Sequence, residues 1–415
     1  MKTLTCLCLL LAAGVLQARD LDIRSAWSMA EQQHPRAGEL YLSDSVYALK
    51  AENIESVWLP LLLLNARATW QSETAEINVP LPGVDIPTPP QTNYSVGLQV
   101  RQTLYDGGRS AALGQANTAE ADVEELKIAQ AIYRIRADVN TWFFQCLSLQ
   151  EDAAIVDAQL GLLNDKLREM RARLEQGVVT PDLIDQLNAD ALRLQTRRVA
   201  LRHQRNTALL RLSVYLGEQV DTNTRLSGGL AADTLNKLRP EQRLFAAQTQ
   251  RLRDAEAIHA SSLRPTVEVF GDAAFGRPGY NVFAEDPHLY AMFGLQLQWN
   301  LWDWGRADRE RGVLQVQQDM VAAQRLEFER ERSLAMRDVL TGIAAVDEQM
   351  ELDKSVIELR RNITTRSARR LDQGVVNAHD YLADIRALET AQLEFNRRRV
   401  ERERLLATLH FLAGE

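Results

Sequence analysis

The chain has 415 residues, enough for two or three ordinary domains, and a formal net charge of −8 with acidic and basic residues spread throughout. Basic charge is not concentrated anywhere, which excludes a nucleic-acid-binding surface. Aromatics make up 6% of the chain, and long stretches rich in Ala, Leu, Glu, Arg and Gln belong to long helices and coiled coils.

The N-terminus reads as a secretory signal peptide over residues 1–18. Lys2 precedes the apolar run Leu4–Leu16, and Ala18 is a small residue suited to cleavage, although Leu16 is bulky for its place two residues earlier. Cys6 and Cys8 lie inside the run, too early to be acylated after cleavage, so a lipoprotein is not expected. Only Cys146 remains in the mature chain, where it reads as a small apolar packing residue. No later run of 18 apolar residues appears, so no transmembrane helix is available. An exported chain of this kind crosses a membrane only by strands.

Pro60 opens a segment in which Leu62, Leu64, Ala66 and Ala68 alternate with Asn65, Arg67 and Thr69, and strands are expected over about 59–71 and 93–105. In the latter, Val96, Leu98 and Val100 form one face and Gln99 and Arg101 the other. The Pro-rich loop Ser72–Thr92 joins the two strands into a hairpin. Beyond it, Ile128, Ile132, Ile135, Val139, Trp142, Cys146, Leu149, Ala153, Val156, Leu160, Leu163, Leu167, Met170 and Leu174 step by fours and threes. That is a sustained heptad seam. No Pro interrupts Ser110–Gln176, and a helix of that span would be about 100 Å long. Gly177 is placed to end it as a C′ glycine. Thr180-Pro181 then restarts a helix, with Thr as N-cap and Pro at the first position. A long helical hairpin is therefore expected over 109–217.

The pattern then repeats. Leu104-Tyr105-Asp106-Gly107-Gly108-Arg109 returns as Leu301-Trp302-Asp303-Trp304-Gly305-Arg306, an offset of 301 − 104 = 197 residues. At the same offset Gly177-Val178-Val179 returns as Gly374-Val375-Val376, and Gly217-Glu218 as Gly414-Glu415. An offset held without a gap marks one long unit used twice, residues 19–218 and 219–415. The second copy is expected to carry strands at 265–275 and 289–302 and a helical hairpin at 306–414. Its strands set Val267, Val269, Gly271, Ala273, Phe293, Leu295, Leu297 and Trp299 against Thr266, Glu268, Asp272, Gln296, Gln298 and Asn300. In its first long helix, Met336 to Met350 follow one seam while Leu352, Val356, Leu359 and Ile363 follow a shifted one, which alters the local supercoil.

Strands of about 10 residues with one apolar face, one polar face and aromatic ends fit an outer-membrane β-barrel. Trp58, Tyr105, Trp302 and Trp304 fall at one end level, and Trp70, Tyr94, Phe275 and Tyr290 at the other. A soluble sheet packed on helices would alternate in the same way; the export signal, the missing transmembrane helix and the end aromatics favour the barrel. Four strands cannot close one, since known barrels start at about eight, so several chains would have to share it.

On Leu104–Arg109, Leu301–Arg306, Gly177–Val179 and Gly374–Val376, in this order and spacing behind an export signal, the chain resembles the TolC family of outer-membrane channel proteins. The resemblance covers nearly all of the mature chain. It implies an α+β fold built from a duplicated helix, β-hairpin and long α-hairpin. It also implies a homotrimer with a twelve-stranded outer-membrane barrel and a periplasmic tunnel of helices. The function implied is the exit duct of a tripartite efflux pump or type I secretion system. A periplasmic membrane-fusion adaptor, an inner-membrane pump and outer-membrane lipid would be its partners. Gly177, Val178, Val179, Gly374, Val375 and Val376 match the helical tips that meet the adaptor. Asp380 matches an acidic position near the closed end of the tunnel. The first copy has Leu183 there, flanked by Asp182 and Asp185, and Asp384 is the next acid of the second copy. A carboxylate in a first helical turn is also favoured by the helix dipole alone.

Enzyme signals are absent. The six His residues are scattered, and no HExxH or Cys/His spacing suggests zinc or another metal or cofactor. Asp106-Gly107-Gly108-Arg109 lacks the spacing and the Lys of a phosphate loop and reads as a strand-to-helix junction. His379-Asp380 reads as a solvated helix start. The alternative to the duct is a periplasmic coiled-coil adaptor or structural protein without a pore. An adaptor would carry further segments of short strands, and a plain coiled coil would lack the alternating strands.

Overall fold

The computed structural model describes residues 20–75, 88–231 and 237–415. The segment read as a signal peptide, with Cys6 and Cys8, and the middle of the Pro-rich loop, with Pro80, Pro82 and Pro87, lie outside them. In chain order the elements are β1 (Asp20–Asp22), α1 (Ile23–Gln32), α2 (Ala37–Glu55), β2 (Leu61–Trp70), β3 (Thr92–Tyr105), α3 (Arg109–Glu175) and α4 (Pro181–Leu216). They continue with β4 (Arg225–Ser227), α5 (Pro240–Ser261), β5 (Thr266–Arg277), β6 (His288–Gln298), α6 (Arg306–Asp372) and α7 (Ala378–Ala413). The duplicated order, helix then β-hairpin then long helical hairpin, is the α+β architecture expected. The paired long helices match to the residue, 67 each for α3 and α6 and 36 each for α4 and α7.

The chain divides into two units, and α3 and α6 contribute to both. One comprises residues 38–128 and 241–327 and holds a four-stranded antiparallel sheet in the order β2-β3-β5-β6. Register fixes its faces. Leu62, Leu64 and Ala66 pair with Val100, Leu98 and Val96; Val96, Leu98 and Val100 pair in turn with Phe275, Ala273 and Gly271. These pair with Leu289, Ala291 and Phe293. Because side chains alternate across a strand, one face is apolar from edge to edge. Asn65, Arg67, Gln99, Arg101, Glu268, Asp272, Gln296 and Gln298 share the opposite face.

The expected second strand of the second copy, 289–302, is corrected to β6 ending at Gln298. Thr266 pairs with Gln298 and is the first residue of its own strand. Pro265 before it has no N–H with which to continue the ladder. Trp299 and Asn300 therefore stand past the strand rather than on its two faces, and the Trp299 indole N–H instead donates to the Leu263 carbonyl at 3.0 Å.

The other unit comprises residues 1–37, 129–240 and 328–415. Here α3 packs by its heptad seam: Ile135, Val139, Cys146, Val156, Leu160, Leu163, Leu167 and Met170 are all buried. They enter two apolar cores shared with α4 and with residues of α6 and α7. The first core also takes in α1, whose Trp27 indole donates to Asn140 Oδ1 at 2.8 Å. Two three-residue strands, β1 and β4, pair in parallel beside it. They are too short to show any period in the sequence.

Candidate functional site

At both helical turns the chain makes the same closure. The Gly177 N–H bonds to the Leu174 carbonyl at 2.9 Å and the Val178 N–H to that of Arg173 at 3.0 Å. Gly374 and Val375 do the same with Leu371 and Arg370, at 3.0 and 2.9 Å. This double bond pattern satisfies the last carbonyls of the helix, and it needs a left-handed residue, supplied at φ +71° by Gly177 and +68° by Gly374. The turn throws the first valine outward, leaving Val178 65% and Val375 70% exposed. The second valine behaves differently. Val179 packs against the neighbouring core and Val376 is half-buried. Thr180 occupies the N-cap of α4, but its side chain makes no capping bond, whereas the Asn377 side chain of the second copy accepts from the Asp380 N–H at 2.8 Å.

The four acids stand near these turns without gathering into a cluster. Asp182 is exposed and accepts from Gln186 at 2.8 Å. Asp185 and Asp380 are exposed, and Asp384 is half-buried, its backbone carbonyl accepting from the Thr364 hydroxyl. Among the described residues no group of three or more His, Cys, Asp or Glu is placed to hold a metal ion.

Ion pairs between the long helices are made by residues that the sequence did not single out. Lys166, nearly buried, binds Glu169 at 2.9 Å and also Asp372. Arg173 reaches Glu169 at 2.7 Å and the Asp372 carbonyl at 2.9 Å, so α3 is tied to the end of α6. Asp190 of α4 is almost fully buried and receives Arg193 at 3.0 Å and Arg386 of α7 at 2.7 Å; buried Glu389 of α7 receives Arg193 at 2.9 Å. A carboxylate inside a helix reads as a solvated residue unless its neighbour across the interface is known, so the sequence carried no sign of either.

The strand-to-helix junctions are built alike. Asp106 accepts from the Gly108 N–H at 2.9 Å and the Ser110 N–H at 2.6 Å, and also from the Ser110 hydroxyl. Asp303 accepts from Gly305 at 2.9 Å and Ala307 at 2.8 Å. Burial pushes the Asp106 carboxyl up, but the bonds from Ser110 and Gly108 outweigh it and hold the group below its ordinary range. At Asp303 the backbone bond from Ala307 is the main cause of the same shift. These aspartates fasten the start of a helix. They form no phosphate cradle.

The sheet presents its apolar face bare, with Phe293 83% and Leu295 71% exposed. Among the described residues its outer strands, β2 from the first copy and β6 from the second, each have an unpaired edge. No helix among the described residues is long and apolar enough to cross a membrane.

Comparison with known proteins agrees with this architecture. Residues 50–218 match the family model described as outer membrane efflux protein. No curated protein matches. Among solved structures, the outer membrane protein VceC of Vibrio cholerae is 14% identical with a TM-score of 0.65, over 94% of this chain and 96% of its own. A membrane protein from Pseudomonas aeruginosa is 15% identical with a TM-score of 0.68, over 96% and 91%. The MtrE outer membrane channel of Neisseria gonorrhoeae is 15% identical with a TM-score of 0.65, over 97% and 93%. The resemblance read from the repeated motifs is borne out over residues 50–218 by the family match, and in fold over most of the chain by these outer-membrane structures.

Proposed function

We propose that this chain, an outer membrane efflux protein by its family match over residues 50–218 and its channel fold, is the exit duct of a tripartite efflux pump or type I secretion system. It conducts substrate passively from a periplasmic pump and adaptor to the outside, has no enzymatic activity, and resides in the outer membrane with a large periplasmic part. The observation that carries this reading is the sheet. A bare apolar face on four strands calls for lipid or another apolar surface to cover it, and two unpaired edges offer rows of N–H and C=O groups ready to pair with further strands.

The two edges belong to different copies of the repeat, so β2 of one chain would meet β6 of the next. A contact of that head-to-tail kind closes into a ring when the rotation permits. Three copies give the twelve strands of a closed barrel. The shifted seam of α6 fits the same assembly. Leu352, Val356 and Leu359 are exposed in the single chain and would meet the next chain's helices. The turns at Gly177, Val178, Val179 and at Gly374, Val375, Val376 would contact the adaptor, and Asp182, Asp185, Asp380 and Asp384 would line the closing end of the tunnel.

Cell fractionation followed by mass measurement in mild detergent tests the reading. The protein should partition with the outer membrane and run as a trimer. A membrane-embedded monomer, or a protein recovered free in the periplasm, would refute it.

A further inference from the structure

Charge is mixed along the chain as a whole, with one local exception that corrects the even spread expected from composition. Residues 359–371, in the last turns of α6, contain Arg360, Arg361, Arg366, Arg369 and Arg370 and no acid. All five are exposed. Among the described residues none of them forms an ion pair; Arg366 donates to the Asn362 carbonyl of its own helix at 3.3 Å. The next carboxylate, Asp372, is taken by Lys166 and Arg173 of α3.

The first copy acts as an internal control. Its matching residues 162–174 mix four basic side chains with two acids. There Lys166 and Arg173 hold Glu169 at 2.9 and 2.7 Å, Arg168 holds Asp165, and Arg171 donates to Asn188 at 3.0 Å. A helix C-terminus favours cations, but only within its last turn, where Arg369 and Arg370 stand. Arg360, Arg361 and Arg366 lie beyond that reach. Arg366 also stands three and four residues from Arg369 and Arg370, a spacing at which like charges repel. The helix does not call for this charge, and the α3 end closes the same turn without it.

We propose that these arginines make the closing end of the duct attractive to anions, so that its cargo is a small organic anion. The inference rests on the duct reading above and deepens it by naming the class of cargo. Asp380 and Asp384, the acids assigned to the same end, are two against five. Charged side chains around a narrow pore mouth select against ions of their own sign, and they concentrate the opposite sign before it enters. The field acts through water over roughly 8 Å at physiological salt, so no arginine has to touch the cargo. The stretch from Arg360 to Arg370 runs about 15 Å along the helix, further than a partner gripping the turn at Gly374 would cover.

Ion selectivity tests it on the full chain. The protein is reconstituted in planar bilayers of phosphatidylcholine, which carries no net charge, and the reversal potential is read under a KCl gradient. The wild type should pass chloride in preference to potassium. Arg361→Gln, Arg366→Gln and Arg369→Gln together should lower the chloride-to-potassium permeability ratio by about twofold or more, whereas Lys at the same three positions should keep it. Both replacements suit a helix, and trimer level on native gels should match wild type. Potassium preference in the wild type, a ratio that Gln leaves unchanged, or one that Lys fails to keep would overturn the anion reading and leave the duct standing. Inserted trimers that pass no current would overturn the duct itself. A Gln variant that fails to form trimers while the Lys variant forms them would make the arginines a contact between chains and end the proposal.

Discussion

Asp106 and Asp303 hold the same helix start in the two copies of the repeat, and a carboxylate does so more strongly while it is charged. Replacing Asp106 by Ala should cost about 1 kcal/mol at neutral pH, the usual value of a lost helix cap. Because its folded pKa lies below the ordinary 3.8, the contribution is complete above that value. It is lost as the pH falls through the depressed one. Urea unfolding of both proteins at pH 7 and again below the ordinary value should therefore show a gap that narrows in acid; a constant gap would mean that the charge does not matter. Repetition made these aspartates conspicuous in the sequence. Cys146 was also legible, as a packing residue: it is fully buried, and burial pushes its thiol up to about 12. Trp304 was legible only as an aromatic, since residue type does not encode its left-handed backbone angle. Asp190 and Glu389 were not legible at all, because Arg386 reaches Asp190, and Arg193 reaches Glu389, from across a helix interface.

The strands carry their information in alternation, and a register error of one residue would turn every side chain to the wrong face. Leu98 and Leu295 lie on the apolar face, Gln99 and Gln296 on the polar one. Arg at Leu98 or Leu295 should reduce assembled trimer in the outer membrane, at a cost of about 2–4 kcal/mol near the midplane. Arg at Gln99 or Gln296 should leave the trimer level close to wild type. Equal damage from both pairs, read on native gels of outer-membrane extracts, would show that the faces are misassigned. The alternation and the heptad seam were plain from sequence because each extends over many residues with one period. The end of β6 was not, since alternation continues through Trp299 and Asn300 while pairing stops opposite Thr266. What ends the strand is a missing donor on its neighbour, at Pro265. The β1–β4 pair is fixed by its place beside the α1 core and carries no periodic signal of its own.

At the level of the whole chain, the 197-residue offset revealed the architecture, and both copies close their long helices with the same pair of backbone bonds. Val178 and Val375 stand exposed on backbones closed by identical bonds. Changing both to Asp should abolish export of a dye or native cargo from cells lacking the natural protein, with trimer level and membrane location unchanged. Export that persists with both changes present would remove the adaptor-contact assignment. Which of the nearby acids would narrow the proposed tunnel could not be read from either copy alone, because such a lining would be formed between chains. The two unlike edges of the sheet have a consequence in genetics. A ring joined head to tail has no subunit that can be spared, so an allele whose product still offers one sound edge will enter rings and spoil them. Such alleles should be dominant over wild type when both are expressed, whereas alleles that destroy both edges should be recessive.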